Sequence, residues 1–274
     1  MPLTRPGPRR AGALLRASHP GPTVAVTLLV TAFAVSSGLS SGRLLLVVGA
    51  VLTGQLSIGW CNDLVDLGRD RAVGRTDKPL ATGELPVSVA RTACAVALAS
   101  TVVLSLACGL VAGLVHLVCV AAGWAYDLGM KSTVLSWLPY AVAFGGLPVF
   151  VVLAQPGDEV PAPWVPVAGA LLGIGAHFVN VVPDLADDRA TGVQGLGHRL
   201  GARRATLVAV VALVAATGVV ASAVTGVPAL VLAVVLVGVA VLAVVAVLGH
   251  GRTPFRAAIA VAAVDVALLV VAAR

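Results

Sequence analysis

Charge is what this sequence has least of. Only 11% of its 274 residues are charged, while 59% are hydrophobic. A soluble domain usually carries about 25% charged residues. The stretch from Thr206 to Leu248 contains no charged side chain at all. That absence argues against an ordinary soluble helical protein. It fits two membrane-spanning helices joined by a turn, since each span needs about 20 apolar residues. The cysteines are few and badly spaced for metal chemistry: Cys61, Cys94, Cys108 and Cys119 form no CxxC pair. All four lie within apolar segments or at their ends, so neither a disulfide framework nor a zinc site is expected. A cleavable leader is not expected either. The N-terminal MPLTRPGPRRAGALLR is basic, but the apolar run behind it is long, and small-residue cleavage patterns recur throughout the chain. Residues 1–22 read as a cytoplasmic arm before an uncleaved first span.

What is present is a series of apolar segments punctuated by Gly, Pro and charge. They predict an all-α, polytopic membrane bundle, a single membrane domain over 1–274, with nine spans near 23–41, 43–61, 87–107, 109–126, 133–154, 162–182, 205–224, 227–248 and 254–273. With the N-terminus placed in the cytoplasm, only Arg43 and Arg274 of the 18 Lys and Arg residues fall outside. This is a strong positive-inside pattern, and it predicts the N-terminus inside and the C-terminus outside a cell membrane. It also accounts for the net charge of +6 without nucleic acid as a partner.

The acids gather in two places. Asn62-Asp63-Leu64-Val65-Asp66-Leu67-Gly68-Arg69-Asp70 puts Asp63, Asp66 and Asp70 at i, i+3 and i+7, one face of a helix. Three carboxylates on one face repel each other, and a divalent cation relieves that cost. Mg²⁺ prefers oxygen ligands and is commonly shared between one or two carboxylates and substrate phosphates. The second cluster, Asn180 to Arg189, carries Asp184 and Asp188 at i, i+4, with Asn180 one turn earlier and Asp187 within reach of the same face. Alone it would also suit a loop with helix-capping aspartates. Four predicted spans separate the two clusters, so both face one side, as in a parallel internal repeat. Together they can hold two metals on one diphosphate. Basic residues follow each cluster: Arg69, Arg71, Arg75 and Lys78 after the first, Arg189 after the second, and Lys131 after Tyr126-Asp127. Lys78 and Arg189 are the first candidates to reach diphosphate oxygens.

The pattern NDxxDxxxD followed by Lys78-Pro79-Leu80-Ala81-Thr82-Gly83 resembles the membrane prenyltransferases of the UbiA superfamily. So do the DxxxD of Asp184 and Asp188 four spans later, the Tyr126-to-Lys131 segment (YDLGMK), and Arg189-Ala190-Thr191-Gly192 ahead of Leu200-Gly201. YDLGMK has four residues between Tyr and Lys where some members have three. The motifs cover about 16 to 204, and the nine-span architecture covers the whole chain. The resemblance implies nine helices around a central cavity that opens laterally to the bilayer. It implies Mg²⁺ bridging a polyprenyl diphosphate to Asp63, Asp66, Asp70, Asp184 and Asp188, which also makes these the catalytic residues. Asn62, Lys78, Tyr126, Lys131, Asn180 and Arg189 are then the substrate-binding candidates. The activity implied is transfer of the prenyl chain to an acceptor, small and lipophilic and most often aromatic in that family, with release of diphosphate. Metals and cations would stabilise the leaving diphosphate, and an apolar cavity would keep water from the allylic cation.

Two other readings compete. A terpene cyclase on the same scaffold would begin with the same ionisation and need no acceptor. A transporter would favour acids near mid-membrane and an inverted repeat, whereas these acids sit at span ends in a parallel arrangement. Of the remaining polar residues, Asp265 within the last span is either functional or paired at a helix interface. His116 is expected to be packed and Trp60 and Trp124 to anchor at the interface; His177, about one turn before Asn180, either packs or points toward the acidic cavity.

Overall fold

The computed structural model describes residues 8–157, 159–190 and 194–272, with the side chains of 8, 9, 184 and 186–190 outside the described set. Among the described residues the chain is all-helical. The helices are α1 (Pro8–Arg16), α2 (Pro20–Ser36), α3 (Ser41–Ala72), α4 (Val87–Ala107), α5 (Leu110–Asp127), α6 (Leu138–Leu153), α7 (Trp164–Ala190), α8 (Leu196–Ala223), α9 (Ala229–Leu248) and α10 (Thr253–Ala272). Seven are long and apolar enough to cross a membrane; α1 and α2, bent by 66° at their junction, make an eighth span if counted as one, and α6 is a shorter apolar helix. Each of the nine expected segments contains a helix, and the count of nine is approximate in how the bent pair and the short helix are scored.

Each helix exists for reasons visible in its residues. Pro20 opens α2 and Pro139 sits in the first turn of α6, where a missing N–H costs nothing. Glycines with positive φ at 38, 74, 109, 226 and 251 close the chain reversals. The helices pack as a ring: α2 on α3, α3 on α4 and α5, α5 on α6, α6 on α7, α7 on α8, and α10 against α7, α8 and α2. α4 and α9 lie outside it, and α9 shows a nearly continuous apolar surface of exposed Val and Leu, as a lipid-facing helix should.

Five boundaries differ from the sequence expectation. The first predicted span begins as a bent pair, because the basic arm holds a helix of its own. α3 does not stop at residue 61 but runs through the acidic motif to Ala72; no residue before Gly74 breaks it. α7 likewise runs through Pro183 into the second motif. Residues 133–137 are turns rather than the start of a span, so α6 has only 16 residues. α8 begins earlier than residue 205 and is broken at Gly201, whose φ is 76°.

Two close approaches shape the interior. A Cβ on Gly173 would lie 2.3 Å from the Tyr140 carbonyl oxygen, and one on Gly169 would lie 2.3 Å from that of Phe144. This small-xxx-small stripe lets α7 lie directly on α6. A Cβ on Gly59 would lie 2.3 Å from the carbonyl oxygen of Ser18, so the α1–α2 corner can rest on α3 only because residue 59 has no side chain. The tryptophans brace the same region from inside. Trp60 is buried and donates to the Leu14 carbonyl at 2.9 Å, and Trp124 donates to Ser57 Oγ at 3.2 Å. Trp60 is thus a tie between α3 and α1 and not the interfacial anchor expected for it. His116 is packed as expected, stacked on Phe150 and hydrogen-bonded through Nδ1 to Ser105 Oγ at 2.7 Å.

Candidate active site

The C-terminal third of α3 carries the first acidic motif, and its acids are not solvated: Asp63, Asp66 and Asp70 are all buried. Asp63 is 1% exposed. Lys78 donates to its Oδ1 at 2.6 Å, and His19 Nε2 lies 2.9 Å from the same oxygen. Lys78 Nζ is also 3.0 Å from His19 Nε2. One ring nitrogen cannot donate to a carboxylate and accept from an ammonium at once, so these three groups share protons among alternative bonds. Asp63 Oδ2 is buried and has no hydrogen-bond partner among the described residues.

Asp66, one turn further on, is held by Lys131, whose Nζ donates to both carboxylate oxygens at 2.6 and 2.7 Å. Arg69 adds a third contact at 2.6 Å. Asn62 turns the other way and donates through Nδ2 to Asp127 Oδ1 at 2.8 Å. In the loop beyond α3, Arg75 grips Asp77 with two bonds of 2.7 Å and holds its carboxyl down to about 2. That pair stays ionised at neutral pH. Lys78 follows it directly and is delivered to Asp63 by the turn that Pro79 and Gly83 complete.

A cavity of about 420 Å³ opens beside this cluster, lined by α2, α3, α5, α6 and the Asn180 side of α7. Its charged end holds His19, Asn62 and Asp127. Its far end is apolar, with Ile58, Ala143, Phe144 and Leu147, and Gln55 as a lone amide. Tyr126 and Tyr140 stand on one wall with ring centroids 5.3 Å apart, edge to face. Asn180 hydrogen-bonds Tyr140. His177 is 1% exposed and lies behind these rings. Its Nε2 bonds Ser136 Oγ at 3.1 Å, so of its two readings the packed one holds, and it supports the wall. A second cavity, about 490 Å³, surrounds Arg43, Cys108 and Gln155. It lies about 30 Å along α3 from Asp63, at 1.5 Å per residue. Arg43 there donates to the Ala154 carbonyl at 2.6 Å, capping the end of α6.

The second motif reaches the same end of the molecule. Its helical backbone is described, but the side chains of Asp184, Asp187, Asp188 and Arg189 lie outside the described residues. The segment just after it is informative. The Leu196 amide donates to Ser136 Oγ at 3.1 Å, and Gly195 sits so close that a Cβ would be 2.4 Å from the Lys131 carbonyl oxygen. Lys131 is the residue that grips Asp66. The chain leaving α7 is therefore seated on the short segment that closes the first motif. Among the described residues, no three His, Cys, Asp or Glu side chains meet as a ready-made metal cluster.

Of the site residues read from the sequence, the structure brings together Asn62, Asp63, Asp66, Lys78 and Lys131. It places Tyr126 and Asn180 on the cavity wall, and Asp70 buried one turn beyond. Three residues are additions: His19, Asp127 and Tyr140. His19 is the last residue before Pro20 at the α1–α2 corner, and φ = 52° makes it the one described non-glycine residue in the left-handed region. Such backbone strain clusters at functional sites. Asp127 was legible as an acid ending a span four residues before Lys131. Tyr140 gave no signal. Asp265 is far from this site; it takes a hydrogen bond from Thr217 and joins α10 to α8. All four cysteines are free and buried.

Comparison with known proteins agrees with this architecture. A UbiA homologue from Archaeoglobus fulgidus bound to GPP and Mg²⁺ superposes with a TM-score of 0.69 at 19% identity, covering 94% of this chain and 99% of that one. A UbiA homologue from Aeropyrum pernix K1 gives 0.71 at 21%, covering 98% and 99%. A digeranylgeranylglyceryl phosphate synthase gives 0.70 at 18%, covering 96% and 98%. At these identities the likeness shows the fold. No curated protein matches the chain. The model of the UbiA prenyltransferase family matches residues 23–269, and the chain belongs to that family.

Proposed function

We propose that this protein is a Mg²⁺-dependent intramembrane prenyltransferase that joins a polyprenyl diphosphate to a lipophilic, aromatic acceptor and releases diphosphate. The observation that carries the reading is the pairing of buried acids with cations beside a largely apolar cavity. Lys78 and His19 lie on Asp63, and Lys131 and Arg69 on Asp66. The solved relatives bound to GPP or DMAPP together with Mg²⁺ support the choice of ligand.

The residues fit such a metal. Asp63 offers a buried oxygen that has no partner among the described residues, Asp70 is a buried carboxylate on the same helix face, and all are the hard oxygen donors that Mg²⁺ takes. Asp63, Asp66 and Asp70, together with Asp184 and Asp188 of the second motif, would hold the ion, which when bound supplies positive charge to the leaving diphosphate. Lys78, Lys131 and Arg69 exchange their carboxylate partners for the diphosphate oxygens that a metal would leave uncovered, and Arg189 joins them there. The same exchange frees the acids for the ion, so neither ligand has to meet an unscreened charge of its own sign. Asn62 and Asn180 orient the head group. Tyr126, Tyr140 and Phe144 keep water from C1 once the C1–O bond has broken.

Purified protein, supplied with Mg²⁺, prenyl diphosphates of several lengths and a panel of aromatic acids and quinone precursors, should yield prenylated acceptor by mass spectrometry. Excess EDTA should abolish that product. A cyclic hydrocarbon or alcohol formed from the prenyl diphosphate alone would assign the protein as a cyclase instead.

A further inference from the structure

Asp127 is buried and half-satisfied. It is 3% exposed and lines the cavity. Asn62 holds its Oδ1 at 2.8 Å, while Oδ2 is buried and has no hydrogen-bond partner among the described residues. An unpaired carboxylate oxygen in a low-dielectric interior is costly, and a purely structural acid at the end of α5 would be expected to satisfy both oxygens. Its place in the cavity is equally specific. On one side, one helical turn along the chain, Lys131 reaches Asp66. On the other, Tyr126, Tyr140 and Phe144 begin the apolar wall. Asp127 thus stands where the charged end meets the apolar chamber, the level at which the reacting carbon of a bound prenyl diphosphate has to lie.

We propose that Asp127 binds the acceptor, its unpartnered oxygen accepting a hydrogen bond from a hydroxyl group on the nucleophile. This rests on the prenyl-transfer reading and adds to it the residue that recognises the second substrate through its hydroxyl. In the transfer step the C1–O bond breaks and its electron pair leaves with diphosphate. The nucleophilic atom of the acceptor forms the new bond to C1, and the hydroxyl proton passes to Asp127 Oδ2. Asn62 is then a positioning residue, fixing Oδ1 so that Oδ2 keeps one orientation. Asp127 is not needed for the diphosphate, whose cations lie on Asp63 and Asp66.

The test uses the full chain in detergent with Mg²⁺ and the unreactive analogue geranyl thiodiphosphate. Calorimetry first measures analogue binding, then binding of paired probes to the preformed complex: methyl 4-hydroxybenzoate against methyl 4-methoxybenzoate, 1-naphthol against 1-methoxynaphthalene, and dodecanol against its methyl ether. In the wild type at least one hydroxyl probe should bind tenfold or more tightly than its ether. In D127L that preference should vanish while analogue affinity stays within twofold. D127N keeps the shape and serves if D127L does not fold; it should weaken the hydroxyl probe at least fivefold. No hydroxyl preference in the wild type overturns the proposal, as does a preference that survives in the variants, or analogue binding that falls with them. Failure of wild-type protein to bind the analogue at all is a different result: it removes the prenyl-transfer reading itself.

Discussion

At the residue scale the site is a set of charges that neutralise one another. Lys131 and Asp66 are each only about 10% exposed at their side chains, so the pair lies out of water. Breaking such a pair leaves a buried charge without a partner, which costs about 3–5 kcal/mol, whereas removing both charges costs far less. Arg69, at 27% exposure, can relieve part of that for Asp66. Lys131→Met should therefore lower the thermal unfolding midpoint in detergent, and adding Asp66→Asn should recover most of it while activity stays lost. A double variant no more stable than Lys131→Met would mean the two do not act as a pair. For Asp63→Ala, turnover should fall at least a hundredfold with the protein still inserted and folded. Activity within a few-fold of wild type, measured with Mg²⁺, would remove Asp63 from the assigned role. The sequence made these acids legible because their spacing puts them on one helix face. It did not show which cation serves which acid, since His19, Lys78 and Lys131 come from three separate turns whose approach depends on tertiary packing.

At the element scale the controlling feature is the α1–α2 corner. Its position sets whether His19 reaches Asp63, and that position depends on Gly59 admitting the Ser18 carbonyl. Trp60 and Thr23 tie the corner down, Trp60 to Leu14 and Thr23 to the Ser18 carbonyl at 2.9 Å. Gly59→Ala puts a methyl where that carbonyl lies. Overpacking of this kind costs about 1–3 kcal/mol, and relief comes by lifting the corner from α3. The expected result is inserted, folded protein whose Mg²⁺-pyrophosphate affinity drops about tenfold, with His19→Ala giving a similar loss and no added loss in the double variant. Full additivity of the two would show that Gly59 acts elsewhere. Helix existence was readable throughout, because apolar runs of span length have few alternatives. What was not readable was the corner itself, since a left-handed histidine is not encoded by composition. The turns at 133–137 were hidden for a related reason. They are apolar enough to pass for a span, but Pro139 and the seating of Ser136 under His177 and Leu196 begin α6 later.

At the scale of the whole molecule the open question is which way the bundle sits in the bilayer. The site end of the ring carries nearly all the basic side chains: the arm, the loop after α3, Arg91, Lys131, the start of α8 and the turn before α10. Arg43 is spent internally as the cap of α6, so among the described residues the opposite end presents almost no exposed positive charge. The positive-inside rule then predicts that the acidic motifs face the cytoplasm and that the α8–α9 turn faces away from it. The native cysteines give a quiet background for testing this, since Cys61, Cys94, Cys108 and Cys119 are all buried. Thr76, in the exposed loop after α3, and Thr225, in the exposed turn after α8, are suited to single cysteine reporters. With a membrane-impermeant maleimide, Thr225→Cys should label in intact spheroplasts, and Thr76→Cys only in inverted vesicles or after permeabilisation. The reverse pattern would place the diphosphate site outside and overturn the charge argument. Labelling of both from one side would break the even number of crossings between α3 and α8, and with it the convergence of the two aspartate motifs on one cavity.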